Sequence, residues 1–396
     1  MGNCASVHHP VCADPEQPLS ENLARSMNTA SWNNKNMVIT YARKSGRSGT
    51  KQEFSDSNPF RPESIVLLAR ERYGDAILMT PLIKNLRMAY PGVSIYIVAF
   101  TRIIFDFFSR DANVTAVYHA KRNLTKYFSE VLTKKFDLLF NPKNHPSTNF
   151  YLQSRFIRAR YKVGHRNTNH DELYDFLIDL APGTHESSRS LSLLDVLGKT
   201  PAAVCRPYIP EMPVSDDTRL FLDTLRSGIY TGINISAGKP GGHRTIEQWS
   251  DLVGNYPAER FIIFSSPADT GEKKTIEKLH ENVLSSPVTK NLYEVWKIVD
   301  RLKLLVTPDT SLVHVASCSD TPVLALYRQN PADSIEFSPL SSLHEIIVSS
   351  TPDVADIENR MVTEAAARIL ERVRMTAEKN EDRHNGDETQ NTMSIG

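Results

Sequence analysis

The chain has 396 residues, with 46 Lys and Arg against 46 Asp and Glu and therefore a formal net charge of zero. That length suits two domains of ordinary size, each with a core of its own. The balanced charge excludes a generally basic nucleic-acid binder, and no run of about 18 apolar residues exists to span a bilayer as a helix.

Residues 1–60 are mostly polar with no sustained period, which predicts a disordered or weakly ordered extension. Met1-Gly2-Asn3-Cys4-Ala5-Ser6 matches the myristoylation pattern, with Cys4 as a palmitoyl candidate. The first residues lack the charged-then-apolar profile of a secretory signal. Cys4, Cys12, Cys205 and Cys318 show no short paired spacing. Neither a zinc site nor a disulfide framework is suggested, and a reducing compartment is expected.

Order begins at Ser64. Residues 64–68 form a continuous apolar run, as in a strand buried on both faces of a parallel sheet. Gly74-Asp75 makes a turn, and Leu78, Leu82, Ile83, Leu86 and Ala89 then recur at helical steps until Pro91-Gly92. Pro81 is placed in the first helical turn, where a missing N–H costs little. Strands are expected at 94–99, 114–118, 137–140 and 161–164, with helices around 103–108 and 124–133. This alternation predicts a parallel sheet with right-handed crossovers. Between Arg61 and Arg166 there are 18 Lys/Arg and 7 Asp/Glu, an excess that favours an anionic partner for this half.

Residues 171–201 read as helical, with Leu191, Leu194, Val196 and Leu197 as an apolar stripe before Gly198. Pro201, Pro207, Pro210 and Pro213 mark a linker. A second alternating unit succeeds it. Strands are expected at 232–235, 261–264, 303–306 and 323–327, and helices at 247–253, 268–280 and 295–299. Ile357, Met361, Ala365, Ile369 and Val373 step by four in a terminal helix. The tail from Glu378 is polar and expected to be mobile. The boundaries are thus an extension (1–60), two Rossmann-like domains (61–203 and 204–350), a terminal helix (351–377) and a tail (378–396).

Two places carry chemistry. In an open parallel sheet ligands bind beyond the carboxyl ends of the strands, so Asp75, in the first strand-to-helix turn, points into that crevice. The plain alternative is a helix-start carboxylate. In the second unit Asp309-Thr310-Ser311 follows a buried strand and opens a helix, offering hydroxyls and unpaired N–H groups to a phosphate. The plain alternative there is an N-cap. No Gly-x-Gly-x-x-Gly follows an expected strand, which disfavours a nicotinamide enzyme.

Taken together and in this order, the motifs resemble glycosyltransferase family 9, the heptosyltransferases of lipopolysaccharide core synthesis. The likeness lies in Gly74-Asp75, Leu86-Arg87-Met88-Ala89-Tyr90-Pro91, residues 159–164 and 185–198, residues 234–238, Ser266-Pro267 and Asp309-Thr310-Ser311-Leu312-Val313-His314-Val315-Ala316. The resemblance implies a GT-B fold, in which the first domain binds the acceptor and the second the nucleotide-sugar donor across a cleft. It implies an inverting transfer without a metal or other cofactor. Asp75 becomes the general base. Asn234, Ser236, Asp309, Thr310, Ser311 and His314 become donor contacts, with Lys239 or Arg244 as the cation and Asp269 or Glu272 on the ribose; the plain alternatives are a structural imidazole packed on the sheet for His314 and helix-start carboxylates for Asp269 and Glu272. Beside Asp75, Arg70 and Arg72 are candidate cations near an acidic acceptor, with surface solvation as the plain alternative for each.

The implied donor is a nucleotide-diphosphate sugar such as ADP-heptose. The implied acceptor is an anionic glycan or glycolipid such as lipopolysaccharide core, with no role for nucleic acid. A cytoplasmic protein is expected, peripheral on the inner face of the membrane if the acceptor is lipid-linked. Two departures stand out: Ser311 replaces the family's Gly, and His243-Arg244-Thr245-Ile246 replaces a Lys-x-Trp-Pro segment. They motivate an alternative, a GT-B protein that binds donor or a partner without transfer.

Overall fold

A computed structural model describes residues 38–41, 60–167, 171–202 and 205–392. Met1 to Ser6, with the acylation motif, lies outside them. The first sheet contains β1 (Val38–Tyr41), β2 (Ser64–Leu68), β3 (Ser94–Ala99), β4 (Ala116–His119), β5 (Lys135–Asn141), β6 (Arg158–His165) and β7 (Phe176–Asp179), in the order β1-β7-β6-β5-β2-β3-β4. All pair in parallel except β1, which runs antiparallel to β7. The second sheet is wholly parallel, with β8 (Tyr230–Asn234), β9 (Arg260–Phe264), β10 (Val283–Leu284), β11 (Leu302–Pro308), β12 (Val323–Tyr327) and β13 (His344–Val348) ordered β10-β9-β8-β11-β12-β13.

Six helices border or brace the space between the sheets: α1 (Tyr73–Ala89), α2 (Glu186–Val196), α3 (Thr270–Leu279), α4 (Ser311–Ser319), α5 (Pro331–Glu336) and α6 (Asn359–Thr392). In β2, Ile65 and Leu67 pack with α1 while Val66 and Leu68 pack into a separate cluster on the other face. This is the pleat at work, and it explains why a strand buried on both sides reads as an unbroken apolar run. The α1 cluster continues through Val313, Val315 and Ala316 of α4 to Val323, Ala325 and Tyr327 of β12. One apolar core therefore joins the two halves, and both sheets fall in one compact unit.

Strand order reverses between β2 and β5 in the first sheet and between β8 and β11 in the second. At such a point the crossovers leave on opposite faces and open a crevice at the carboxyl edge. Asp75 follows β2, and Asp309-Thr310-Ser311 follows β11. The two motifs thus occupy equivalent topological places.

Several expectations need correction. Pro81 is not in the first turn, because α1 starts at Tyr73 and carries Pro81 in its interior. The Ile77 carbonyl that loses its N–H donor accepts instead from Thr80 Oγ1 at 2.7 Å, which offsets part of the usual cost of about 3 kcal/mol. β7, β10 and β13 lie where no strand was expected, and β1 lies inside the 1–60 extension. The terminal helix continues past 377 to Thr392, so most of the polar tail is helical. The proline-marked linker packs along α1, where Ala202 N–H donates to Asn85 Oδ1 (2.8 Å) and Tyr208 N–H to Thr80 Oγ1 (2.9 Å).

Candidate active site

A cleft of about 980 Å³ opens between the two carboxyl edges. From the first half it is lined by Arg70, Arg72, Gly74 and Asp75 after β2, and by Lys143 and His145 after β5. From the second come Asn234, Ser236 and Lys239 after β8, and Asp309, Thr310, Ser311 and His314 after β11. Ten of the thirteen expected site residues therefore meet in one space.

Asp75 sits in the first turn of α1, where the helix N-terminus favours a carboxylate. Its Oδ1 lies 3.4 Å from Arg70 Nε. Arg70 also pairs with Glu186 of α2. Glu186 Oε2 lies 3.4 Å from Arg189 Nε, and Arg189 Nη2 reaches Glu336 of α5 at 3.4 Å. Burial works against the Arg70 charge, but Glu186 and then Asp75 outweigh it and raise the pKa of this guanidinium. Arg70 was expected to meet the acceptor. It lines the cleft and is tied to Asp75, which ends an ion-pair chain that crosses from the first half to the second.

Gly74 explains how closely the halves approach. A Cβ built there would lie 3.0 Å from His314 Cδ2 and 3.5 Å from His314 Nε2. The missing side chain lets the N-termini of α1 and α4 meet at this distance without displacing His314. His314 is buried, its Nδ1 has no hydrogen-bond partner among the described residues, and burial pushes its pKa down to about 3. It is a neutral imidazole.

In the second half, Asn234 Nδ2 donates to Thr307 Oγ1 (3.0 Å) and Thr310 Oγ1 (3.1 Å), pinning the ends of β8 and β11 together. Thr310 caps α4 by accepting from Leu312 N–H at 3.2 Å. The capping reading of Thr310 is therefore right, and it coexists with a place in the cleft. Lys239 Nζ stands 3.0 Å from both Asp309 Oδ2 and Asp333 Oδ2. Burial raises the Asp309 carboxyl pKa and Lys239 pulls it back.

Three expected residues are elsewhere. Arg244 is buried and donates to the carbonyls of Val354 (3.3 Å) and Ile357 (2.8 Å) and to Asn359 Oδ1, with its guanidinium 5.4 Å above the Trp249 ring. It anchors the start of α6, so of the two expected candidates only Lys239 lines the cleft. Asp269 does not line the cleft. It accepts from the hydroxyls of Ser236 and Ser266 (2.8 Å), which lower its pKa, and it holds two cleft residues in place. Glu272 is exposed and outside the cleft.

Sequence reasoning missed Lys143, Glu186, Arg189, Asp333 and Lys273. Lys143 pairs with Glu71 at 3.1 Å. It follows Asn141-Pro142 at the end of a strand, and recognising that this strand neighbours β2 was the signal that could have found it. Lys273 is buried beside the 286–291 segment of the cleft wall and donates to Ser286 O and Oγ, both at 2.8 Å. Nothing in its helical context marks it.

A family model described as glycosyltransferase family 9 (heptosyltransferase) matches residues 131–366. The chain is 21% identical over 296 residues to lipopolysaccharide heptosyltransferase 3 of Escherichia coli, covering 68% of this chain and 84% of that protein. Among solved structures, the glycosyl transferase family 9 protein from Veillonella parvula superposes with a TM-score of 0.61 at 18% identity, over 78% of this chain and 97% of that one. E. coli heptosyltransferase WaaC with ADP gives 0.59 at 16% identity, over 77% and 99%. The fold is the GT-B fold of these structures, and the chain belongs to glycosyltransferase family 9.

Proposed function

We propose that this glycosyltransferase moves a sugar, heptose by its relatives' names, from a nucleotide-diphosphate donor such as ADP-heptose to a hydroxyl of an anionic glycan such as lipopolysaccharide core, with inversion at the anomeric carbon. The observation that carries the reading is the meeting of Asp75 with the Lys239, Thr310 and His314 group across one cleft, at the two switch points. Asp75 takes the proton from the acceptor hydroxyl as its oxygen attacks the anomeric carbon, a role worth about 10²–10⁴-fold. The bond to the diphosphate breaks on the opposite side. The charge that develops there is met by Lys239, by the N-terminus of α4 and by the hydroxyls of Thr310 and Ser311. With Lys239 as the cation, no step is routed through a metal. Ser236, held by Asp269, and the Lys273-supported 286–291 segment form the wall proposed to receive the nucleoside.

The first half, residues 61–203, takes the acceptor. Support comes from a second cavity of about 250 Å³, lined by Arg102, Tyr118, His119, Arg122 and Lys126 at the end of β4. Burial, then Arg122 and the neighbouring cations, lowers the His119 pKa. That concentration of positive charge suits the anionic part of an acceptor. The alternative of donor binding without transfer gains no support, because Ser311 lies in the cleft and the altered 243–246 segment leaves Lys239 there. The test is a product assay with ADP-heptose and other nucleotide sugars on phosphorylated core saccharides, with the anomeric configuration read by NMR. An inverted glycoside is expected. A retained configuration, or donor binding without product across the acceptors, would overturn the proposal.

A further inference from the structure

Lys273 and Glu277 stand one turn apart on α3, with Nζ 3.6 Å from Oε1 and side chains only 6% and 7% exposed. They do more than neutralise each other. Glu277 Oε1 accepts the Ser286 N–H at 3.1 Å, while Lys273 Nζ donates to the Ser286 carbonyl and hydroxyl, both at 2.8 Å, and to the Pro287 carbonyl at 3.4 Å. Both main-chain polar groups of Ser286 are thus held by side chains of one helix. Burial works against the Lys273 charge and lowers its pKa, with Glu277 opposing it. A buried pair of this kind returns little more than its desolvation costs, so two apolar side chains would pack α3 on the sheet at least as well. What they could not do is grip Ser286.

A second anchor follows four residues on. The Lys290 N–H donates to Glu294, a fully buried carboxylate on the helix Leu292–Val299 that also accepts the Ser215 N–H at 2.6 Å. Burial works against the Glu294 charge, but these N–H groups outweigh it and hold its pKa down. Between the two anchors Pro287 fixes one backbone angle. Val288 and Thr289 then line the cleft, Val288 with 45% of its surface exposed. The N–H and C=O groups of these two residues make no hydrogen bond among the described residues. A main chain fastened at both ends and unpaired in the middle presents donors and acceptors at set places. Nucleobases differ in the order of donors and acceptors along their edges, so such a stretch tells them apart only while its position is held.

We propose that Lys273 and Glu277 are positioning residues for the choice of nucleobase: by gripping Ser286 they hold the 288–289 main chain where it meets the edge of the base, and they act through that segment. This selection rests on the proposed seat of the nucleoside against the 286–291 wall, and it concerns the base alone. The groups proposed to meet the diphosphate, Lys239 and Thr310, belong to other elements of the cleft and are untouched by the pair.

The test is calorimetry on the full chain with ADP, GDP and inorganic pyrophosphate. The parent chain should bind ADP at least about tenfold more tightly than GDP. Lys273→Met combined with Glu277→Leu removes the grip without orphaning a charge. It should weaken ADP about tenfold while GDP and pyrophosphate stay within about twofold, so that the preference largely disappears. In transfer assays the donor KM should rise by the same factor with kcat held, a split that a merely damaged fold would not give. Ser286→Ala leaves the ion pair in place and removes only the hydroxyl that accepts from Lys273. As the milder second variant it should narrow the preference about threefold. A parent chain with no base preference, variants that keep the parent's preference, or an equal loss of ADP, GDP and pyrophosphate, the mark of a pair that only holds the fold, overturns the selection. A parent chain that prefers ADP yet forms no glycoside counts against the proposed function and leaves the selection standing.

Discussion

At the first switch point the cleft-lining Asp75 and Arg70 are fastened to each other, and Arg70 is fastened behind them to Glu186 and on through Arg189 to Glu336. At the second the cleft-lining groups are mostly neutral, an amide, two hydroxyls and an uncharged imidazole, with Lys239 between two carboxylates. The same topology thus yields a place where one carboxylate is held in position and a place where polar groups are gathered, proposed to receive the diphosphate. The ion-pair chain between them ends on α5, whose Asp333 is also a Lys239 partner. A change on the donor side is therefore connected to the group proposed to accept the proton.

The largest effect should come from removing the donor-side cation. Lys239→Ala takes away the positive charge nearest the proposed diphosphate and leaves half-buried Asp309 facing it, so kcat/KM for the donor should fall about 10²–10³-fold, measured in steady-state assays against the nucleotide sugar. On the other side, Glu186→Gln should lower kcat about thirtyfold with little change in donor KM, because it loosens Arg70 and so Asp75 without touching the donor groups. An equal rise in KM would show that the two sites are not separable in this way. Gly74→Ala should cost less, about fivefold in kcat, since the new methyl displaces His314 by only a few tenths of an ångström. A fourth expectation concerns stability. Burial pushes His165 and His314 down to about 3 and His185 to about 4. Each stays neutral in the fold while its unfolded counterpart takes a proton near pH 6.5. Stability is thus full above that pH and falls as pH drops toward 4, by about 1 kcal/mol per pH unit for each histidine, which urea unfolding at pH 7 and pH 5 would measure.

The parallel strands and the Asp75 and Asp309–His314 motifs were legible because buried parallel strands are continuous apolar runs and because both motifs follow such strands directly. What was not legible depends on pairing between distant parts of the chain. Glu186 reads as an ordinary helix-start carboxylate until α2 is laid against α1 and Arg70 is found beside it. Arg244 reads as a cleft cation because it follows the β8 strand end, yet its guanidinium turns to carbonyls more than a hundred residues away. β13 was overlooked because it is an edge strand of mixed polarity, half-buried along most of its length. Pro81 was misplaced because nothing local announces that Thr80 will satisfy the orphaned carbonyl.

The central claim is that Asp75 accepts the proton while the opposite edge holds the donor. Asp75→Asn keeps the size and the turn of the side chain and removes its basicity. Measured together, transfer should fall by about 10²–10⁴-fold while calorimetric affinity for the nucleotide-sugar donor stays within about twofold. Transfer close to that of the parent chain, with the donor bound as before, would contradict the assignment.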